Sequence, residues 1–348
     1  MKNTFFYFLF SISILFFLMP LKSSTQNPVD SLLLVLKTAQ QDVIRLQTYA
    51  KLSEVCEYNE IEAYSTKGIE LGEKLLLSTN KKIHSTAAEA LGLCYNNFAF
   101  AKGQQGEFKS AIEFYKKALL LNVREKNETE IAPILNNLGE SFFNEGKLEE
   151  SISYFEKSII AYKKNKDLEG VGRCYVNLSF VYQNIGDISQ ALKCIDKGMK
   201  IREKVGDQQA IANSWSLFGA IYSQQRELDK ALVCFKKCYE INKALKNKEG
   251  MAGGINNIGW VYAEKGKFDD AKLSYEEALQ LSIEIGDEVG RGKSYQNLSA
   301  IFYKKKEINK AREFLNKALV ILKKYDQRDG IASSFCSLGE MEFYYGEI

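Results

Sequence analysis

Few residues of this 348-residue sequence are placed to do chemistry. There is one histidine, His84. That excludes a histidine-rich metal site, a Ser-His-Asp triad deep in the chain and a phosphoacceptor histidine beyond residue 84. The seven cysteines are Cys56, Cys94, Cys174, Cys194, Cys234, Cys238 and Cys336, an odd count with no paired framework in its spacing. Cys234 and Cys238 lie four apart and share a helix face, but two thiols do not make a zinc site. The cysteines read best as small buried hydrophobes, with a disulfide left open. Gly250, Gly253 and Gly254 resemble a phosphate loop superficially, yet no Gly-Lys-Ser/Thr follows, and close helix packing is the expected role. His84 is expected on the surface of a linker between early helices. No acid pair, nucleophile constellation or metal spacing stands out, so the expectation is a protein that is not an enzyme and takes no cofactor. What recurs is an amide: Asn97, Asn137, Asn177, Asn257 and Asn297 share one register. An amide offers both a donor and an acceptor.

The elements that carry these amides follow from composition and period. Hydrophobic residues make up 45% and charged residues 26%, a composition that folds. The prolines are Pro20, Pro28 and Pro133, so nothing after residue 133 interrupts long helices. Basic and acidic residues nearly cancel, at 47 and 44, which argues against a nucleic-acid binder. Lys2 precedes an apolar run over residues 5–21, then Ser23, Ser24 and Thr25. That layout is a secretory signal peptide with cleavage expected before Gln26; an uncleaved anchor is the alternative. No cysteine follows the run closely enough for a lipoprotein anchor. Export to the periplasm or cell envelope is the expected location, with membrane contact only through this segment or through a part beyond residue 348.

Internal repetition decides the fold. Asn137-Leu138-Gly139 aligns with Asn177-Leu178-Ser179, Leu217-Phe218-Gly219, Asn257-Ile258-Gly259, Asn297-Leu298-Ser299 and Ser337-Leu338-Gly339, always 40 residues apart. Glycine recurs at 106, 146, 186, 266 and 346, with Arg226 and Lys306 in its place elsewhere. Small residues recur at Ala111, Ser151, Ala191, Ala231, Ala271 and Ala311, and again at Ala118, Ser158, Gly198, Cys238, Ala278 and Ala318. Between them runs a bulky column: Tyr115, Phe155, Ile195, Phe235, Tyr275 and Leu315. Within one unit, Val171, Tyr175, Leu178 and Tyr182 have helical spacing, Gly186 stops the helix, and Asp187 caps the next. Each unit is thus a helical hairpin that must stack on its neighbours to bury both faces, which makes an all-α solenoid.

The pattern aromatic, x, x, Leu-Gly, x, x, Tyr, then Ala, Phe and Ala resembles the tetratricopeptide repeat. Trp215, Phe218, Gly219, Tyr222, Ala231, Phe235 and Cys238 show one unit; Ile255, Ile258, Gly259, Tyr262, Ala271, Tyr275 and Ala278 show another. The unit is 40 residues rather than the usual 34, similar to the forty-residue subclass. Lys102 and Glu342 stand where an aromatic is usual. The resemblance implies a right-handed superhelix of stacked antiparallel hairpins whose first helices line a concave groove for a protein or an extended peptide. It also implies that the asparagine before Leu-Gly contacts the ligand; local bonding within the solenoid is the alternative. Asn136, Asn256 and Gln296, with Ser216, are expected on the same face. Arg173 and Lys293 are the only basic residues there, which suits a neutral peptide better than a carboxylate.

The expected layout is a signal segment at 1–25, degenerate repeats or a cap at 26–91, six repeats at 92–331, and the first helix of a truncated repeat at 332–348. Phe335, Leu338, Met341 and Phe343 would lack cover there, which suggests a longer protein; a frayed last helix is the alternative. Two functions fit: an exported binding scaffold, or the sensor region of a membrane signalling protein, a histidine kinase or transcription regulator, whose effector lies beyond residue 348.

Overall fold

The computed structural model describes residues 28–345; the expected signal segment and the turn position of Gly346 lie outside them. The first elements are α1 (Pro28–Thr38), α2 (Asp42–Val55), a 3-10 turn (Tyr58–Glu60) and α3 (Ile61–Leu75). Six hairpins follow: α4 (Lys81–Gln104) with α5 (Phe108–Arg124), α6 (Glu128–Asn144) with α7 (Leu148–Lys164), and α8 (Leu168–Ile185) with α9 (Ile188–Val205). The next three are α10 (Gln208–Gln224) with α11 (Leu228–Ala244), α12 (Lys248–Glu264) with α13 (Phe268–Ile285), and α14 (Glu288–Lys304) with α15 (Ile308–Lys324). A last helix, α16 (Arg328–Tyr345), packs on α15. The fold is an all-α solenoid of stacked hairpins, with no strand among the described residues.

The small columns explain how the helices close. Ala111, Ser151, Ala191, Ala231, Ala271 and Ala311 are fully buried. Where serine replaces alanine, its hydroxyl is matched: Ser151 Oγ donates to the Gly139 carbonyl at 2.7 Å and Ser158 Oγ to that of Ala132 at 2.8 Å. The bulky column sits between them, with Phe155 at 1% exposure. Its ring lies against Gly139, where an added Cβ would come within 2.8 Å of a ring carbon. Gly250 and Gly254 have the packing role expected of them, a Cβ on Gly254 sitting 3.2 Å from the Tyr239 backbone, whereas Gly253 is exposed and a Cβ there would meet nothing.

Helix boundaries have a period of twenty as well as forty. Left-handed residues end the first helices at Gly106, Gly146, Gly186, Arg226, Gly266 and Lys306, and the second helices at Lys126, Lys166, Gly206, Lys246, Gly286 and Asp326. The second set carries no glycine rule that a sequence alignment would pick out. Side-chain capping is not uniform: Asp187 accepts from the Gln190 amide at 3.0 Å, Asp207 from Ala210 at 2.9 Å and Asp287 from Gly290 at 2.8 Å, whereas α5, α6, α7, α11, α13 and α15 have no side-chain cap. Lys306, at φ 62°, carries the steric cost of a side chain in that region. Lys306→Gly should therefore stabilise by up to about 1 kcal/mol, the relief being partly offset by glycine's extra unfolded-state freedom. A urea midpoint that stays put or falls would refute it.

His84 is not in a linker. Asn80 caps α4 through the Lys82 and Ile83 amides, at 3.0 and 3.3 Å, so the helix starts early and carries His84 half-buried in its first turn. Lys102, in an aromatic's place, pairs with Glu62 at 2.8 Å and Glu107 at 3.3 Å. Glu342 pairs with Arg312 at 3.1 Å.

Candidate functional site

Successive first helices touch, α4 with α6, α6 with α8 and α12 with α14, whereas no two successive second helices approach as closely. The first helices therefore line the inner, concave side. Asn97, Asn137, Asn177, Asn257 and Asn297 all lie on them, with Asn136, Asn256 and Gln296 one position earlier.

These amides meet across the hairpins. Asn137 Nδ2 donates to Asn96 Oδ1 at 3.5 Å, Asn177 to Asn136 at 3.1 Å, and Asn297 to Asn256 at 2.8 Å. At the N-terminal end Asn97 Nδ2 donates to Ser53 Oγ of α2 at 2.9 Å, and Asn96 Nδ2 to Asn97 Oδ1 at 3.2 Å. The first three of these bonds each join one hairpin's asparagine to the residue one position earlier in the register of the hairpin before it. The sequence columns contain both partners, but their pairing needs the approach of two helices. The break in the row is matched on both sides: Leu217 faces the hairpin that presents Val176 in the acceptor place. Gln296 bonds instead to α16, donating to the Gly330 carbonyl at 2.8 Å and to Ser334 Oγ at 2.7 Å.

Local bonding leaves capacity over. Asn137 and Asn177 each donate one bond and accept none, and Asn257 makes no hydrogen bond among the described residues. Apart from Asn136, which is buried, these amides are half-buried, within reach of a ligand but sheltered from bulk water. Arg173 and Lys293 are exposed one turn before them. Glu140, one turn after Asn136, is itself exposed, yet the protein crowded around it desolvates its carboxyl and raises its pKa above the ordinary value.

The remaining chemistry is subdued. Cys94, Cys174, Cys194, Cys234 and Cys238 are buried, Cys56 is half-buried and Cys336 is exposed, with no disulfide among the described residues. Burial pushes the thiols of Cys234 and Cys238 up to about 11, so they stay protonated and unreactive near neutrality. No group of three or more metal-ligating side chains occurs among the described residues, and no helix among them is long and apolar enough to cross a membrane.

One feature escaped the sequence reading. Where four hairpins bury Leu138, Leu178, Ile258 and Leu298, the first and fourth have half-buried Phe98 and Phe218. Phe218, Trp215, Tyr222 and Met199 line an open cleft of about 700 Å³ between α9, α10 and α11. Lys237 caps the Trp215 ring, 3.9 Å from its centroid. The departure of residues 217 and 218 from the repeat was visible in the sequence; the opening it leaves was not.

Comparison with known proteins agrees with this geometry. Among solved structures, the chain is similar to a signal-transduction ATPase with numerous domains and a tetratricopeptide repeat sensor from Pyrococcus horikoshii, at 17% identity and a TM-score of 0.63; the match covers 93% of this chain and 51% of that one, so it spans about half of that protein. It is also similar to the apo form of RapI, at 18% identity and a TM-score of 0.62, covering 90% of this chain and 83% of that one. The apo form of the quorum sensor NprR from B. thuringiensis aligns at 11% identity and a TM-score of 0.54, over 84% of this chain and 92% of that one. Among curated proteins, no sequence matches. The tetratricopeptide repeat profile matches residues 91–125 and, in overlapping copies, 130–204, 175–244, 210–284 and 250–324, so the chain belongs to the tetratricopeptide repeat family.

Proposed function

We propose that this protein is an exported scaffold that binds a protein or extended peptide segment in the concave groove of its first helices, without catalysis of its own. The observation that carries this reading is the row of half-buried inner-face amides with unspent donors and acceptors at Asn137, Asn177 and Asn257. A peptide backbone offers the complementary groups at regular spacing, so such a row can hold a chain without reading its side chains. Export rests on the N-terminal run over residues 5–21 and is tested by expressing the full chain and asking whether the envelope-fraction protein begins at Gln26. A mature product confined to the cytoplasm would refute it.

The groove is tested by replacing Asn137, Asn177 and Asn257 together with Ala. Peptide affinity should fall about tenfold or more, since several hydrogen bonds of about 1 kcal/mol each are lost. Helicity should survive, because two of the three amides donate a single inter-hairpin bond and the third donates none. Unchanged affinity would remove these residues from the site.

A second reading is that the repeats are the sensor region of a signalling protein. It is favoured by the likeness of fold to a signal-transduction ATPase described as having a tetratricopeptide repeat sensor and to a protein described as a quorum sensor. The discriminating observation is the native gene past the codon for Ile348. An apolar span followed by a kinase or DNA-binding domain would select the sensor; further capped repeats and a stop would select the scaffold.

A further inference from the structure

One column of the inner face breaks the forty-residue period. It reads Phe100, Glu140, Phe180, Ala220, Trp260 and Ala300, three and four positions after the amides on each first helix, and therefore on their face. Aromatic rings stand on every second hairpin through all six, and the alternation ends at Glu340. Core packing does not require this. The internal contact columns repeat every forty residues, while this column takes alanine as readily as tryptophan, and Ala300 is exposed. Phe100 is 37% exposed, and Phe180 and Trp260 are half-buried, with Trp260 leaning on the core of its hairpin. Between Phe100 and Phe180 stands Glu140, whose carboxylate has no ion-pair partner among the described residues.

The step between hairpins sets the conformation of a ligand that reads this column. First helices in contact and bridged by side-chain amides, as α4, α6 and α8 are in succession, lie about 8–10 Å apart; α10 carries no such bridge and approaches α8 and α12 less closely. A polyproline-II chain rises about 3.1 Å per residue and returns to the same face every three residues, a step of about 9 Å. A β-strand returns every two residues, about 6.6 Å, and falls out of step after one hairpin. A polyproline-II chain also leaves its backbone groups free, and the amide rows present partners at that same step.

We propose that the groove takes an extended, polyproline-II-like peptide with apolar side chains six residues apart and a basic side chain midway between the first two. The apolar pair lies against Phe100 and Phe180, a third apolar residue six further on lies against Trp260, and the basic group meets Glu140. The core motif of apolar, basic and apolar is the same read in either chain direction. This deepens the groove reading above and rests on it.

The test is a selection of random peptides displayed on phage against the immobilised full-length protein, followed by fluorescence anisotropy with a synthetic peptide of the enriched sequence. Enriched sequences should carry a basic residue three positions, and an apolar residue six positions, after an apolar one. Phe180→Ala, Trp260→Ala and Glu140→Gln should each weaken binding about tenfold, the size of effect of a central contact. Exchange of the peptide's basic residue for glutamine should weaken binding to the wild type but not to Glu140→Gln. Enriched sequences without that spacing would overturn the proposal. So would binding that falls in the triple asparagine variant yet ignores Phe180→Ala and Glu140→Gln, an outcome that leaves the groove reading intact. An empty selection, or binding indifferent to all the variants while circular dichroism shows them folded, would overturn both.

Discussion

Phe155→Ala should destabilise the second hairpin by about 3–5 kcal/mol, the cost of deleting a fully buried ring and leaving a cavity. Phe155 is 1% exposed and packs with Ile159, Tyr162, Val171 and Leu178. The ring occupies the space that Gly139 leaves, since a Cβ there would come within 2.8 Å of it. Gly139→Ala alone should then cost about 1–3 kcal/mol through overpacking. In the Phe155→Ala background the same methyl enters the vacated space and should cost little or stabilise. The two substitutions must therefore couple, and a double-mutant cycle by urea denaturation reads that coupling directly. Because each hairpin touches only its neighbours, the loss should also be local. Amides of α6 and α7 should exchange with deuterium sooner, while those of α14 and α15 keep their protection. Additive costs would refute the close approach of ring and glycine; a uniform rise in exchange would refute the local response.

The same pair shows what could be read from the chain. Gly139 and Phe155 lie in two columns of fixed period, so their roles as a gap and its filler follow from repetition. Repetition carries less where identity and geometry part. Gly186 and Lys306 hold nearly equivalent left-handed positions, at φ 89° and 62°, because the turn length dictates the backbone whatever residue is present. The asparagine rows were visible as a column, but the donor of one hairpin meets the acceptor column of the one before, a relation 41 residues apart that only the stack creates. At the N-terminal end the register fails, and with it the placing of His84: α4 has no standard hairpin before it, so its length follows from the Asn80 cap rather than from the repeat. Another rule was hidden by mixed residue types. Tyr162, Asn242 and Leu322 form a column that differs in every chemical respect, yet each faces a glycine of the following helix, Gly170, Gly250 or Gly330.

Asn242→Leu tests whether those residues are interchangeable, and the expected result is a loss of about 2–3 kcal/mol although leucine fills the same place at residue 322. Asn242 is 1% exposed in the last turn of α11. Its Nδ2 donates to the Cys238 carbonyl at 2.9 Å, and its Oδ1 accepts from Gln209 Nε2 of α10 at 3.2 Å and from Asn247 Nδ2 at 3.0 Å. Asn247 Nδ2 also donates to Gln209 Oε1 at 2.8 Å, while its Oδ1 caps α12 by accepting from the Gly250 amide at 3.1 Å. Three helices are tied at one point, and the point admits no larger neighbour, since a Cβ on Gly250 would come within 2.0 Å of Asn242 Oδ1. Leucine would remove the acceptor that Gln209 and Asn247 share, leaving Gln209 Nε2 with Asn213 Oδ1 at 3.3 Å and Asn247 Nδ2 with Gln209 Oε1 alone, would delete the Asn242 bond to the Cys238 carbonyl, and would loosen the cap that orients α12. Leu322, by contrast, is an apolar side chain packed against Gly330 and against Gly292 of α14, so Leu322→Asn should also destabilise, for want of the Gln209 and Asn247 partners. A urea midpoint for Asn242→Leu within about 0.5 kcal/mol of wild type would show that the network sets only the angle between the fourth and fifth hairpins. If the network holds the stack together there, hairpins five and six should instead lose protection as a unit while the first three keep theirs, as a one-dimensional chain of interfaces requires.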